Sequence, residues 1–173
     1  MDLMEAIKGR RSIRKFKAQT VPEEVIMQII EAATYAPSAG NIQPWRFIIA
    51  KNPVLKKNLA RAAFNQSLIE QAPIVVIVCA DENQIEPRYG TRGKSLYCLQ
   101  DTAAATQNIL LFAHALGLGT CWIGAFDEEL AKRAVNAPEG VRPVAMVPIG
   151  YPDVVPRTRT RKPLNEVVWS DGF

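Results

Sequence analysis

Residues 10–14, Arg10-Arg11-Ser12-Ile13-Arg14, place three guanidinium groups and a hydroxyl within one short stretch. Guanidinium forks match phosphate oxygens two bonds at a time, so this stretch suits a phosphate. A second set lies in Pro37-Ser38-Ala39-Gly40-Asn41-Ile42-Gln43-Pro44, where Ser38, Asn41 and Gln43 each carry a donor and an acceptor and nothing titrates. Such groups suit the neutral, flat edge of a heterocycle with carbonyls and ring nitrogens. Taken alone, the same residues also read as an ordinary turn. Neither G-x-G-x-x-G nor G-x-x-x-x-G-K-[ST] occurs, so a nucleotide must be held by side chains. G-x-S-x-G is missing too, and the single histidine, His114, sits in an apolar stretch that favours a core position over a catalytic base. Glu23-Glu24 and Glu128-Glu129 fall at helix starts, where the dipole favours acids. An anion site and a planar-ring site without acid–base machinery point to a cofactor that performs the chemistry.

The charge distribution extends the first observation. Lys plus Arg number 21 and Asp plus Glu 17, a formal charge of +4. Residues 8–17 hold six basic residues and no acid, and residues 157–162 hold four more. Without these ten, eleven basic residues face seventeen acids, so the positive charge is gathered near the two ends of the chain. Two such clusters can converge on one anion, lie along a nucleic acid, or stay as solvated surface. Ile13 and Phe16 within the first cluster mark a segment that packs, and no C2H2, RNP1 or helix-turn-helix pattern supports nucleic acid. The composition, 48% apolar and 22% charged over 173 residues, is that of a single globular domain, 1–173. The longest apolar run, Ile74 to Ala80, is too short to span a bilayer, and Met1 to Glu5 shows no signal-peptide pattern. Cys79, Cys98 and Cys121 are odd in number and widely spaced, as expected of reduced, buried thiols in a cytoplasmic protein. One histidine argues against a His-based metal site.

These groups must be positioned by an α+β chain. Residues 2–9 read as a short helix, followed by an extended segment from Ser12 to Phe16. Thr20-Val21-Pro22-Glu23 fits a capping box for a helix running to about Tyr35, stopped by Pro37. Strands are expected at Trp45–Ala50, Ile74–Ala80, Thr120–Ala125 and Arg142–Ile149, with a short one at Glu166–Trp169. Asn52-Pro53 and Asp127 cap helices. Residues 81–93 read as a polar loop, and Lys94 to Leu116 as one long helix, apolar on more than one face, that must be buried in the core or against a second subunit. The tail from about 152 to 173 is too polar to fold on itself and reads as an arm wrapping a partner subunit.

Taken in series, Arg10-Arg11-Ser12-Ile13-Arg14-Lys15-Phe16, Ala36-Pro37-Ser38-Ala39-Gly40-Asn41-Ile42-Gln43-Pro44-Trp45, Gln107-Asn108-Ile109-Leu110-Leu111 with Gly117-Leu118-Gly119, and Val147-Pro148-Ile149-Gly150-Tyr151-Pro152 resemble the FMN-dependent nitroreductase family over nearly the whole chain. The resemblance implies an α+β fold with a central mixed or antiparallel sheet flanked by helices, and a homodimer with FMN at the subunit interface. It implies that Arg10, Arg11, Ser12 and Arg14 hold the phosphate, the ribityl chain and the N1–C2 edge of the ring. Pro37, Ser38, Ala39, Asn41 and Gln43 would come from the other subunit. Asn65 would bond the ring or ribityl chain, Ile123 and Gly124 would bring a backbone N–H near flavin N5, and Arg159, Arg161 and Lys162 would complete the phosphate site. Gly124 and Arg14 would be the catalytic positions. Leu68 stands where larger members place a lysine. The implied activity is hydride transfer from NADH or NADPH, through flavin N5, to a nitroaromatic, quinone or similar acceptor with ping-pong kinetics. Other chemistry of the same fold (dehalogenation, flavin fragmentation) and a non-catalytic FMN-binding regulatory dimer are the alternatives.

Overall fold

The computed structural model describes all residues, 1–173. At its centre lies β2 (Ile74–Asp81), whose eight residues are all buried. Its β-branched run packs on both faces, as an interior strand must. Ile74, Val76 and Val78 face α2 (Glu23–Thr34) and α6 (Cys98–Ala115), together with Ile29, Ile109 and Ala113. Val75, Ile77 and Cys79 face the other way, onto α3 (Pro53–Ala62), α4 (Leu68–Gln71) and α7 (Glu128–Val135), with Leu59, Ile69 and Ala131. The two-residue period of a strand thus divides one apolar run between two cores, giving a sheet covered by helices on both sides.

The sheet has the order β1-β2-β4-β3, all antiparallel. β1 (Trp45–Ala50) and the two-residue β3 (Gly119–Thr120) form its edges, and β4 (Val141–Gly150) lies inside. Between β2 and β4 the register slips by one residue: Val78 pairs with Ala145 and Cys79 with Pro143, leaving Val144 as the extra residue of a bulge. The expected strand Thr120–Ala125 is shorter than the sequence suggested. Beyond Thr120 only Cys121 and Ile123 still reach β4, through the carbonyls of Pro148 and Met146.

Ser12 to Phe16 is extended, as its pattern predicts. Ile13 donates its N–H to the Thr120 carbonyl at 2.8 Å, and Ser12 bridges to Thr120. Gly119 makes this approach possible, since a Cβ there would lie 2.6 Å from Ile13 Cγ1. α1 (Leu3–Gly9) starts at an Asp2 capping box.

Three expectations are corrected. α2 begins behind Pro22, with no side-chain cap, so the Thr20–Glu23 capping box is not formed; Glu23 pairs with Lys51 instead. Residues 81–93 are not a loop. They form α5 (Glu82–Arg92), which continues through a π-helical turn (Gly93–Tyr97) into α6. Pro87 and Gly90 signalled a break, but Ile85, fully buried, and the ion pairs of Glu82 with Arg142 and Lys94 hold the first turns down. The break is local: Gly90 takes φ +54, a conformation that only glycine adopts readily. The expected strand at Glu166–Trp169 is replaced by a 3-10 turn at Leu164–Glu166, and no residue of the tail beyond Pro152 pairs with the sheet.

Candidate functional site

The two basic clusters meet. Arg10, Arg11, Ser12 and Arg14 line one side of a cavity of about 270 Å³, and Pro156, Arg157, Arg159 and Arg161 line the other. Six guanidinium groups thus surround it, with no carboxylate among them. The tail is drawn to this place by its backbone: Lys17 donates to the Tyr151 carbonyl at 2.9 Å and Asp153 to the Lys15 carbonyl at 3.0 Å. Arg11 closes the seam by donating to Thr158 Oγ1 at 2.7 Å. Six like charges around a small space repel one another, so the arrangement suits a multiply charged anion.

Lys162 lies outside the cavity, whereas Arg157 lines it. Arg157, Arg159 and Arg161 recur at every second position and all line the cavity, whereas Lys162 falls outside that spacing. That two-residue period is the signal in the sequence that distinguishes Arg157 from Lys162.

From Ser12 the site continues along β3. Cys121 is buried; burial pushes its thiol up, and the charge of Arg14, a hydrogen bond with Ser12 and the charge of Arg10 pull it partly back. Two residues on, Ile123 donates its N–H to the Met146 carbonyl at 2.9 Å. Its N–H is therefore committed, which leaves Gly124 as the residue of the pair with an N–H to offer. The Gly124 N–H has no partner in the chain, and the residue is exposed. Asn65 belongs to the same surface. Gln66 Nε2 donates to the Ala125 carbonyl at 3.4 Å, and Asp127 N–H to the Ala62 carbonyl at 2.8 Å, so residues 62–66 are tied to residues 125–127. Asn65 is exposed at φ +61, and its side-chain amide has no partner within the chain. Leu68 is buried and offers nothing to this surface.

The loop from Pro37 to Gln43 lies elsewhere. It precedes Trp45, which pairs with Ala80 at one end of β1, whereas Ser12 joins Thr120, which pairs with Ile149 at the far end of the opposite edge. Three inter-strand spacings, about 14 Å, separate the edges before the offset along the strands is added. Pro37, Ser38, Ala39, Asn41 and Gln43 are therefore not brought to the arginine cavity within one chain. The loop is nonetheless built firmly. Asn41 and Gln43 both take positive φ, 56° and 57°, which costs energy in residues with a Cβ. Ser38 Oγ accepts from the Gln43 N–H at 3.0 Å, and Gln43 Nε2 donates to Asn41 Oδ1 at 3.3 Å.

Its anchor is a residue that the sequence pattern did not single out. Asp101, inside α6 and 7% exposed, accepts the Ala39 N–H at 3.1 and 3.2 Å through its two oxygens. Burial holds its carboxyl above the ordinary range, and the bond from Ala39 partly offsets that. His114 is half-buried and not a core residue; burial holds its pKa below the ordinary value, and the charges of Arg10 and Arg11 add to this.

Fold and donor set together define an α+β protein with an anion site at one edge of its sheet and a rigid polar loop at the other. The model of the nitroreductase family matches residues 7–72 and 58–151, and the chain belongs to that family. A protein of Methanothermobacter thermautotrophicus, whose name provisionally pairs NADH dehydrogenase with NAD(P)H nitroreductase, is 40% identical over 163 residues, covering 92% of this chain and 82% of that one. The FMN reductase (NADPH) of Bacillus subtilis is 29% identical, over 98% of this chain and 74% of that one. An iodotyrosine deiodinase of Haliscomenobacter hydrossis is 26% identical, over 83% and 76%. The crystal structure of a nitroreductase family protein from Clostridium novyi superposes with a TM-score of 0.81 at 34% identity, covering 88% of this chain and 86% of that one.

Proposed function

We propose that the protein is an FMN-dependent oxidoreductase that works as a homodimer. One observation carries the reading: both basic clusters form a single acid-free cavity, adjoined through Ser12 and Cys121 by the unpaired N–H of Gly124. The chemistry that FMN supplies when bound is hydride transfer at its ring N5, from NADH or NADPH to a nitroaromatic, quinone or similar acceptor, with donor and acceptor using one place in turn.

The chain's own residues do the rest. Arg10, Arg11, Arg157, Arg159 and Arg161 hold the phosphate, and Ser12 bonds the ribityl chain. Arg14, on the cavity wall nearest Cys121, stabilises negative charge at the N1–C2 edge of the ring. Gly124 donates its N–H toward N5, and Ile123 fixes that N–H by its own bond to Met146. Asn65 bonds the ring or ribityl chain. Pro37, Ser38, Ala39, Asn41 and Gln43 come from the partner subunit, which is consistent with their distance from the cavity of their own chain.

Two apolar surfaces support the dimer. A groove of about 650 Å³ lies between α1, α2 and α6, lined by exposed Leu3 and Tyr35 together with Ala6, Leu111 and Phe112. Residues 153–173 are all exposed, including Leu164, Val167, Val168, Trp169 and Phe173, as expected of an arm that covers a second copy. No helix is long and apolar enough to cross a membrane. Three free, buried cysteines fit a reducing, cytoplasmic setting.

The test is the anaerobic visible spectrum of the protein reconstituted with FMN, before and after NADPH. A bound-flavin band that bleaches supports the reading. A bound flavin that resists both NADPH and NADH points to a regulatory dimer, and no bound flavin removes the proposal. Similarity to the deiodinase favours reductive dehalogenation as a second reading of the acceptor, tested by turnover of a halogenated phenol against a quinone.

A further inference from the structure

α5 and the π-helical turn behind it carry four side chains in a row. The Arg88 guanidinium carbon stands 5.5 Å from the centre of the Tyr89 ring, and that of Arg92 stands 5.4 Å from the centre of the Tyr97 ring. The two rings meet edge to face, 5.3 Å apart at an angle of 86°. Arg92 Nε also donates to the Tyr97 hydroxyl at 2.9 Å. Both arginines are exposed, yet both are held in place by aromatic faces, so little conformational freedom is left to lose on binding.

Neither arginine has a carboxylate partner, and the acids of the same segment are taken. Asp81 pairs with Arg46 at 2.8 Å, Glu82 with Arg142 and Lys94, and Glu86 with Lys94. Two guanidinium groups without a carboxylate partner, each with N–H groups left over, on an ordered aromatic platform are suited to a phosphate. Their location narrows its identity. Arg88 donates to the Gly40 carbonyl at 3.4 Å, and a Cβ at Gly40 would fall 2.7 Å from the Tyr89 hydroxyl. The platform therefore lies against the Pro37–Gln43 loop, which the proposed function places over the flavin of the partner. Within one chain the platform is remote from the arginine cavity, at the other corner of the sheet; in the proposed dimer it stands beside the partner's flavin, where a donor stacked on the ring brings its own phosphates. NADH and NADPH share every phosphate but the 2′-phosphate at the adenosine end, so a cationic site that the donor reaches away from the ring discriminates between them only there.

We propose that Arg88 and Arg92 recognise the 2′-phosphate of NADPH and make it the preferred hydride donor. This rests on the oxidoreductase reading above, and the measurements separate the two. The first is calorimetry of the FMN-loaded protein with adenosine 2′,5′-bisphosphate against 5′-AMP, which differ only in the 2′-phosphate. The bisphosphate is expected to bind about tenfold tighter or better, and Arg88→Ala and Arg92→Ala are expected to bring the two affinities within about threefold. The second is steady-state kinetics. In each variant the NADPH-to-NADH ratio of kcat/KM is expected to fall about tenfold, through KM more than kcat. Equal affinities in the wild-type protein, or an unchanged ratio in both variants, would overturn the proposal. Inorganic phosphate displacing the bisphosphate at equal concentration would overturn it too, since the site would then read phosphate without the nucleoside. If the protein holds no FMN, the underlying reading fails instead, and calorimetry of the apoprotein still reports on the 2′-phosphate.

Discussion

Arg14 and Arg157 line opposite sides of one cavity, and the proposed function gives them different work that their variants should separate. Arg157→Ala takes one guanidinium from the cavity and, if the proposed phosphate site is right, should weaken FMN binding by roughly tenfold, read by fluorescence titration, while the potential of the bound flavin stays put. Arg14→Ala should lower that potential and slow reduction by NADPH; an unchanged potential would remove Arg14 from its role at N1–C2. His114 offers an independent probe, because it is the single histidine and feels Arg10 and Arg11. An anion bound between those arginines cancels part of their charge, so the His114 pKa should move up when phosphate or FMN is added, visible by NMR. In the free protein its folded pKa lies below the ordinary 6.5. The unfolded chain then takes the proton first, and this group's share of stability falls as pH drops from about 6.5 toward the folded value. Cys79 and Cys98 sit at the opposite extreme: burial pushes both thiols up to about 12, so neither should react with a thiol reagent at pH 8 until the protein unfolds.

Among the elements, β2 bears both cores and α6 anchors the polar loop. Ile77→Ala should cost about 2–5 kcal/mol in chemical denaturation, since Ile77 is fully buried between β1, β4 and the helices of one face. Asp101 tests the loop. Its raised carboxyl pKa means that the folded protein takes up a proton before the unfolded chain does as pH falls. Stability from this group therefore increases from neutral pH down toward the ordinary value of 3.8. Asp101→Asn keeps an acceptor for the Ala39 N–H but removes the titration. The wild type should then gain stability relative to the variant on acidification, and a difference independent of pH would contradict the burial argument. α5 shows why local rules fell short. Pro87 and Gly90 are true breakers in isolation, but the burial of Ile85 and the Arg142 fork onto Glu82 and Glu128 outweigh them.

In the molecule as a whole, the tail lines the cavity and, in the proposed dimer, also covers the partner. Residues 153–173 contribute nothing buried to their own chain, so ending the chain after Asp153 should leave the monomer fold intact by circular dichroism. The same truncation removes Arg157, Arg159 and Arg161 from the cavity, together with the apolar side chains of the arm. FMN affinity should fall by more than in any single arginine variant, and sedimentation should show a weaker dimer. A dimer as tight as that of the full chain would mean that the groove between α1, α2 and α6 is sufficient by itself.

The sequence alone determined the elements whose signals are local. The β-branched run Ile74–Ala80, the Asn52 and Asp127 caps and the Pro37 stop each rest on neighbours in the chain, and each appears in the fold. The two basic clusters were legible as candidates, and so was the amide-rich loop, because residue type and spacing already state their chemistry. Only the tertiary structure decided that Arg10 and Arg161 share one cavity, that Lys162 does not line it, and that Ile123 spends its N–H on Met146 while Gly124 keeps its own. It also decided that Asp101 holds a loop more than sixty residues away in sequence. These relations join parts of the chain that no period or cap connects. They are set by how the sheet brings its strands into register and by which polar groups find partners once water is excluded.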